Sequence, residues 1–280
     1  MMYTSAIRLI AVDLDGTVLN DRKQLTPRTA AALTEAAARG VEIVPATGRT
    51  AAGLPAELLA LPGVHYAITS NGARMMDLAS GRAVRELYLA RETALAAFDI
   101  LARYDCVTDL FQDGKGYTTE ANRAASYRFV PDNLRDYVLN TRTVLPDLRA
   151  FIASQERGIE KLTIFFLDED ERRRAWAEVA ALGVDVVSSL PLNMEINAAG
   201  VDKGAGLLAL AEQLDLPASA LMACGDGGND TAMVKAAGLG VAMANAFPEV
   251  KAAARFITAS NNEDGVALAV EKFVLGKEAL

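Results

Sequence analysis

Two carboxylates, Asp13 and Asp15, close the apolar run of LIAVDLDGTVL, residues 9–19. Charge at the end of a buried strand is costly, so the pair needs a chemical reason. Residues two apart on an extended chain point the same way, and the two acids can therefore share one pocket. Close carboxylates repel, which implies a nearby cation or a protonated partner. Other polar residues arrive at comparable places. Thr47 ends VEIVPAT (41–47), Ser70 and Asn71 follow HYAIT, and Asp226 ends ALMACGD (220–226). Lys203 opens the helical stretch after NMEIN (193–197). Asp230 follows Asp226 at a spacing of four, which places both on one face if a helix begins at 226. A carboxylate cluster with no His or Cys beside it suits Mg²⁺, a hard cation bound through oxygen.

Each residue alone has a plainer reading. A strand-end Asp commonly caps a turn, Thr47 could cap a helix, and Lys203 could be a surface charge. Their joint arrival at strand ends favours a site, because ligands of open parallel sheets bind beyond the carboxyl ends of the strands.

The elements that must position them follow from pattern. IRLIAVD (7–13) is short, β-branched and apolar on both faces, as a central parallel strand requires. TPRTAAALTEAAARG reads as a helix, with Thr26 as N-cap, Pro27 at its first position and Gly40 at its stop. Strands at 41–47 and 65–70 flank a helix beginning near Arg49, and Asn71-Gly72 signals a tight turn. After residue 82 the punctuation changes. We expect a hairpin around Asp113–Gly116, a strand at 161–168, an amphipathic helix carrying Trp176 and another strand in VDVVSS. The Arg172–Arg174 run reads as a solvated helix face. The polar stretch 118–129 is a candidate to face a ligand. From 191 the first style returns, with NMEIN as a strand, a helix over 202–214, a strand over 220–226, a helix in GGNDTAMVKAAG and a strand in LGVAMANA. The expected fold is an α/β protein, a Rossmann-like parallel sheet with helices on both faces. Residues 1–82 and 191–280 would form that core, and 83–190 an inserted α/β cap.

Composition narrows the class. A chain of 280 residues supports one large domain or two modest ones. A net charge of −8 gives no global attraction for nucleic acid or an anionic membrane. The N-terminal stretch lacks a basic region followed by a long apolar core, and no run approaches the ~20 apolar residues of a membrane span. The expectation is a cytoplasmic enzyme, a monomer or small homo-oligomer. Cys106 and Cys224 cannot build a disulfide framework or a four-ligand zinc site and read as buried small hydrophobes. The one histidine, His65, reads as structural. No GxGxxG follows the first strand, and no phosphate-binding P-loop is present.

Four phrases together carry a resemblance: DLDGT, ATGR, VDKG and GDGGND. They resemble the motifs of haloacid dehalogenase-like phosphatases. TSNGA (69–73), MEINAAGVDKG (194–204), VAMANA (241–246) and NNEDGVA (261–267) resemble the Cof-type branch of that superfamily, whose α/β cap lies between the second and third motifs. The resemblance implies a phosphoric monoester hydrolase acting on a small phosphorylated metabolite. It implies Asp13 as nucleophile, forming an aspartyl-phosphate, and Asp15 as general acid and then base. Thr47, Gly48, Lys203 and Asn229 would bind the phosphoryl group or substrate. Mg²⁺ would be held by Asp13, the Asp15 carbonyl and Asp226, with Asp230 as ligand or support. Two positions depart from the pattern: Gly228, where a larger residue is usual, and NAAG (197–200), where a proline is more common. Two alternatives are a phosphosugar mutase of the phosphomannomutase type and a non-catalytic metabolite sensor.

Overall fold

The computed structural model describes residues 7–277. Residues 1–6, part of the stretch read for a leader, lie outside the described residues. In chain order the strands are β1 (Leu9–Val12), β2 (Glu42–Pro45), β3 (Tyr66–Thr69), β4 (Arg74–Asp77), β5 (Arg82–Glu86), β6 (Cys106–Gln112) and β7 (Lys115–Thr118). They continue as β8 (Arg142–Val144), β9 (Lys161–Phe166), β10 (Asp185–Val187), β11 (Asn193–Asn197), β12 (Leu221–Gly225), β13 (Leu239–Ala242) and β14 (Phe256–Ile257).

Five strands pair in parallel in the order β14-β13-β12-β1-β2. A single parallel bridge from Ala46 to Ile68 carries the sheet on to β3, which then turns back into antiparallel β4 and β5. Successive side chains on β1 face opposite sides. Leu9 and Ala11 pack with Leu207 and Leu210 of the helix Lys203–Gln213. Ile10 and Val12 pack on the other side with Leu33 of the helix Pro27–Ala38 and Val270 of the helix Gly265–Phe273. Helices therefore cover both faces, which is why β1 is apolar throughout. Thr26 caps its helix as expected, accepting from the Thr29 N–H at 3.1 Å.

A second, six-stranded sheet has the order β10-β11-β9-β6-β7-β8 and forms the cap. The hairpin at Asp113–Gly114 turns with φ of 50° and 70°, and Gln112 pairs with Lys115. One face of this sheet, including Leu162, Ile164 and Met194, packs with helices Arg91–Leu101, Leu148–Ser154 and Glu169–Ala180. Arg172 and Arg174 pair with acids three residues earlier at 2.6 and 3.9 Å, and Arg173 pairs likewise with Asp170. Arg173 and Arg174 form the expected solvated face, whereas Arg172 is half-buried over the Trp176 ring.

Several expectations are corrected. NMEIN is not a strand of the parallel sheet: β11 pairs antiparallel with β9 and β10, so the chain returns to the core later than residue 191. The reason lies in its alternation. Met194 and Ile196 enter the cap core, while Asn193, Glu195 and Asn197 point to the other face, a period-2 pattern that a doubly covered parallel strand lacks. The helix after Arg49 is broken into a 3₁₀ turn at Ala51–Gly53 and a short helix at Ala56–Leu59, because Pro55 cannot continue a helix. The helix in GGNDT begins only at Thr231. Cys106 is half-buried rather than buried. Among the described residues no helix is long and apolar enough to cross a membrane.

Candidate active site

The parallel strands deliver their polar ends to one place. Asp13 follows β1, Thr47 lies two residues past β2, and Asp226 follows β12. Asp13, Asp15, Thr47, Gly48 and Asn229 line a single pocket between the core and the cap. Lys203 does not line it but bonds to Asp13, which does. Its ammonium is fully buried and donates to Asp13 Oδ1 and Asp230 Oδ1, each at 2.6 Å. Asp202 caps that helix by accepting from the Ala205 N–H at 2.7 Å, which fixes where the lysine starts. Oxygens of Asp13, Asp226 and Asp230 lie within 4.8 Å of one another.

The acids differ in how they are held. Asp230 uses Oδ2 to accept from the N–H groups of Asp226 and Gly227, both at 2.9 Å. Its nearness to Asp226 thus comes from a turn over 226–230, not from one face of a helix. Asp226 accepts from the Thr17 hydroxyl at 2.6 Å and from Asn245 at 3.4 Å. Gly16 has φ of 80°, and a Cβ there would lie 2.4 Å from Asp226 Oδ2, so only glycine lets this loop close on the acid. Asp15 is clamped by Arg49, with Nε and Nη2 each 2.7 Å from its oxygens, and by Lys23 at 2.7 Å.

Electrostatics follow from these partners. Burial, then the Asp230 charge, pushes the Asp13 carboxyl up to about 7 despite Lys203. Burial, then Asp13 and Asp230, raises Asp226 to about 8. Burial would also raise Asp15, but the Arg49 hydrogen bonds and charge, with Lys23, hold it below the usual carboxylate range. Burial opposes the Lys203 charge, yet Asp13 and Asp230 overcome it and raise that pKa. Among the described residues Lys203 is the cation that hydrogen-bonds Asp13 and Asp230, and no cation is paired with Asp226, so three acids share one bonded base, an excess of two negative charges when all are ionised. That deficit matches a divalent cation, and the all-oxygen donors match Mg²⁺.

This cluster predicts a stability cost. Lys203→Met strands two buried carboxylates, and the loss should be about 3–5 kcal/mol. Urea unfolding in metal-free alkaline buffer checks it, through a lower midpoint at unchanged slope. A loss under about 1 kcal/mol would mean that the acids do not depend on the lysine.

Several functional side chains were not singled out from the sequence. Arg49 lies inside the quoted ATGR, yet only the geometry reveals its clamp on Asp15 and its guanidinium 4.5 Å over the Tyr137 ring. The cap side of the pocket includes Phe111, Tyr137, Arg142, Lys161 and Glu195. Tyr137 belongs to the helix Asp132–Thr141, so it is that helix, and not the stretch 118–129, that faces the pocket. Alternation was the available signal: Lys161, Thr163 and Phe165 of KLTIFF line the pocket while their neighbours enter the core. Gly228 also finds its reason here, since a Cβ would lie 2.7 Å from the Ser188 carbonyl oxygen of the cap.

A helix-covered parallel sheet, an acid–lysine cluster at its carboxyl edge and a second sheet closed over that edge define a capped α/β hydrolytic enzyme. The chain belongs to the haloacid dehalogenase-like hydrolases, whose family model matches residues 10–270. Among its relatives, YxeH of Bacillus subtilis (strain 168) is 35% identical, covering 96% of this chain and 99% of its own. The 5-amino-6-(5-phospho-D-ribitylamino)uracil phosphatase YcsE of the same organism is 32% identical, covering 96% of each chain. A solved haloacid dehalogenase-like hydrolase from B. subtilis superposes with a TM-score of 0.81 at 28% identity, over 95% of this chain and 99% of that one. The resemblance carried by DLDGT, ATGR, VDKG and GDGGND is thereby confirmed.

Proposed function

We propose that the protein is a Mg²⁺-dependent phosphatase that hydrolyses a small phosphorylated metabolite through an aspartyl-phosphate on Asp13. One observation carries the reading. Lys203 holds Asp13 Oδ1, and among the described residues no hydrogen bond engages Oδ2, on a carboxylate that lines the pocket with Thr47, Gly48 and Asn229.

The residues divide the work. Asp13 attacks phosphorus, and the bond from phosphorus to the leaving oxygen breaks as Asp15 gives that oxygen a proton. Asp15 then takes a proton from water, the water oxygen attacks phosphorus, and the bond to Asp13 breaks. The observed clamp keeps Asp15 ionised, the form needed for the second step. For the first step Arg49 must release it, and a phosphate dianion attracts that guanidinium away. Thr47 and Gly48 border the phosphoryl oxygens, and Lys203 offsets their charge. Asp13, Asp226 and the Asp15 carbonyl would hold Mg²⁺, with Asp230 supporting them. Mg²⁺ bound there supplies charge neutralisation for the acids and the phosphate together.

The cap wall supports a neutral, hydroxyl-rich leaving group. Lys161 is paired with Glu195 at 2.5 Å and Arg142 with Asp109 at 3.3 Å, so each cation comes with its own acid. Such pairs offer donors and acceptors to hydroxyls and no free charge to a second anion. This disfavours the mutase reading, which requires a bisphosphate to be held. The name of YcsE assigns that relative a phosphoribityl substrate, also a polyhydroxyl phosphomonoester.

Phosphate release from a panel of phosphorylated metabolites tests the reading. Neutral polyol monophosphates should be turned over at least about tenfold faster than bisphosphates, a difference of ~1.4 kcal/mol, and a chelator should stop release. Binding has its own readout. Mg²⁺ at a hundred times its Kd should stabilise the protein by about 2.7 kcal/mol, and Asp226→Asn should shrink that shift. Phosphate release unchanged by chelator, with no thermal shift, would refute the metal assignment.

A further inference from the structure

The turn joining β3 to β4 is strained and buried, and it touches Thr47, Arg49, Asn229 and the start of the Lys203 helix without lining the pocket. Ser70, Asn71 and Gly72 have φ of 51°, 59° and 100°, three consecutive left-handed residues. Such strain persists only where the surroundings over-determine it. Here they do. The Ser70 N–H donates to the Arg49 carbonyl at 2.9 Å and the Asn71 N–H to the Thr47 carbonyl at 3.0 Å. Gly72 packs on the backbone of Asp202, at the start of the lysine helix.

The Asn71 side chain, 1% exposed, joins the two layers. Its amide nitrogen donates to Glu195 Oε2 at 2.5 Å and to Asn197 Oδ1 at 3.2 Å, both on cap strand β11. Its carbonyl oxygen accepts from Asn229 Nδ2 at 3.1 Å. Glu195 is itself held by Lys161 and by the Ser189 hydroxyl, each at 2.5 Å. Asn197 closes the loop by donating to the Ser70 carbonyl at 3.0 Å.

We infer that Asn71 is a positioning residue, which fixes the Asn229 carboxamide at the phosphate site while cap residue Glu195 holds Asn71. The inference rests on the phosphatase reading of the same pocket. Both amide groups are used directionally: the Asn71 oxygen can accept from Asn229 only because its nitrogen is turned to the cap acid. With the cap lifted, Asn71 loses Glu195 and Asn197 together, and Asn229 loses its fixed orientation. The core therefore grips phosphate fully only beneath a seated cap.

A double-mutant cycle tests it, with an aryl phosphate as substrate and inorganic phosphate as inhibitor, in Mg²⁺ buffer. Asn71→Gly removes the carboxamide and keeps the left-handed backbone free of strain. It should raise KM and the phosphate Ki by about tenfold, the scale of one charge-assisted hydrogen bond. Asn229→Ala should do the same, and the double variant should be no worse than Asn229→Ala alone. A merely structural Asn71 would lower Tm and leave the phosphate Ki unmoved. Should Asn71→Gly not fold, Asn71→Ser enters the same cycle, since its short hydroxyl cannot bridge Asn229 and Glu195. Effects that multiply in an active enzyme overturn the relay alone. A wild-type protein that neither releases phosphate nor responds to it overturns the phosphatase reading and the relay with it.

Discussion

Asp13→Asn is expected to abolish turnover, by at least about 10⁵-fold, the scale on which loss of a covalent nucleophile is felt. The amide keeps the shape of the side chain and loses the anionic oxygen that attacks phosphorus. Stability should not fall with it. The folded-state pKa of Asp13 is raised from 3.8 to about 7, chiefly by burial and then by Asp230. A carboxyl raised in this way favours folding while protonated, and that contribution is lost as pH rises through about 7. A neutral amide escapes the loss. In metal-free buffer at alkaline pH the variant should therefore melt no lower than wild type. Parallel melting curves and phosphate-release assays check both halves. An inactive variant that is also unfolded would leave the loss explained by folding and contradict the stability argument.

Asp15→Asn should separate the two chemical steps. The change keeps the main chain and removes the proton carrier, a loss of about 10²–10⁴-fold in rate. The size should depend on the leaving group. An alkyl phosphate needs a proton on its departing oxygen, so its first step should fail. An aryl phosphate leaves with little help, so Asp13 should still be phosphorylated while hydrolysis stalls for want of a base. Arg49 and Lys23, freed from the Asp15 carboxylate, would not restore either proton transfer. Rates across a series of leaving groups should thus show a steeper dependence on leaving-group acidity in the variant than in wild type. Equal slopes would remove Asp15 from the proton transfer.

Much of the core was legible because its signals are local. The apolar run before Asp13 and the placement of Lys203 at a helix start state their geometry in a few residues. Asp13 and Asp15 do share the pocket, but across a turn that begins after Val12 and not along an extended strand. The positions of Asp226 and Asp230 were legible as a pair, but the mechanism that joins them was not. A side chain folding back to cap two backbone N–H groups leaves no periodic trace, and helix spacing offered itself instead. The cap was harder. Lys161, Arg142 and Tyr137 gain their meaning only when strands and a helix far apart in sequence are brought around one pocket. The error over β11 is instructive, since NMEIN alternates polar and apolar residues along its length. That period belongs to a sheet with one dry face, and it marks the strand as part of the cap.

The central claim is that a covalent intermediate forms on Asp13, and it can be observed directly. Asp15→Asn protein mixed with an aryl phosphate and quenched in acid within the first turnover should carry one phosphoryl group. Peptide mass spectrometry should locate it in the segment LIAVDLDGTVL, on Asp13, and the mark should be absent when Asp13 is also changed to Asn. A phosphoryl group on any other residue, or one that survives Asp13→Asn, would contradict the account.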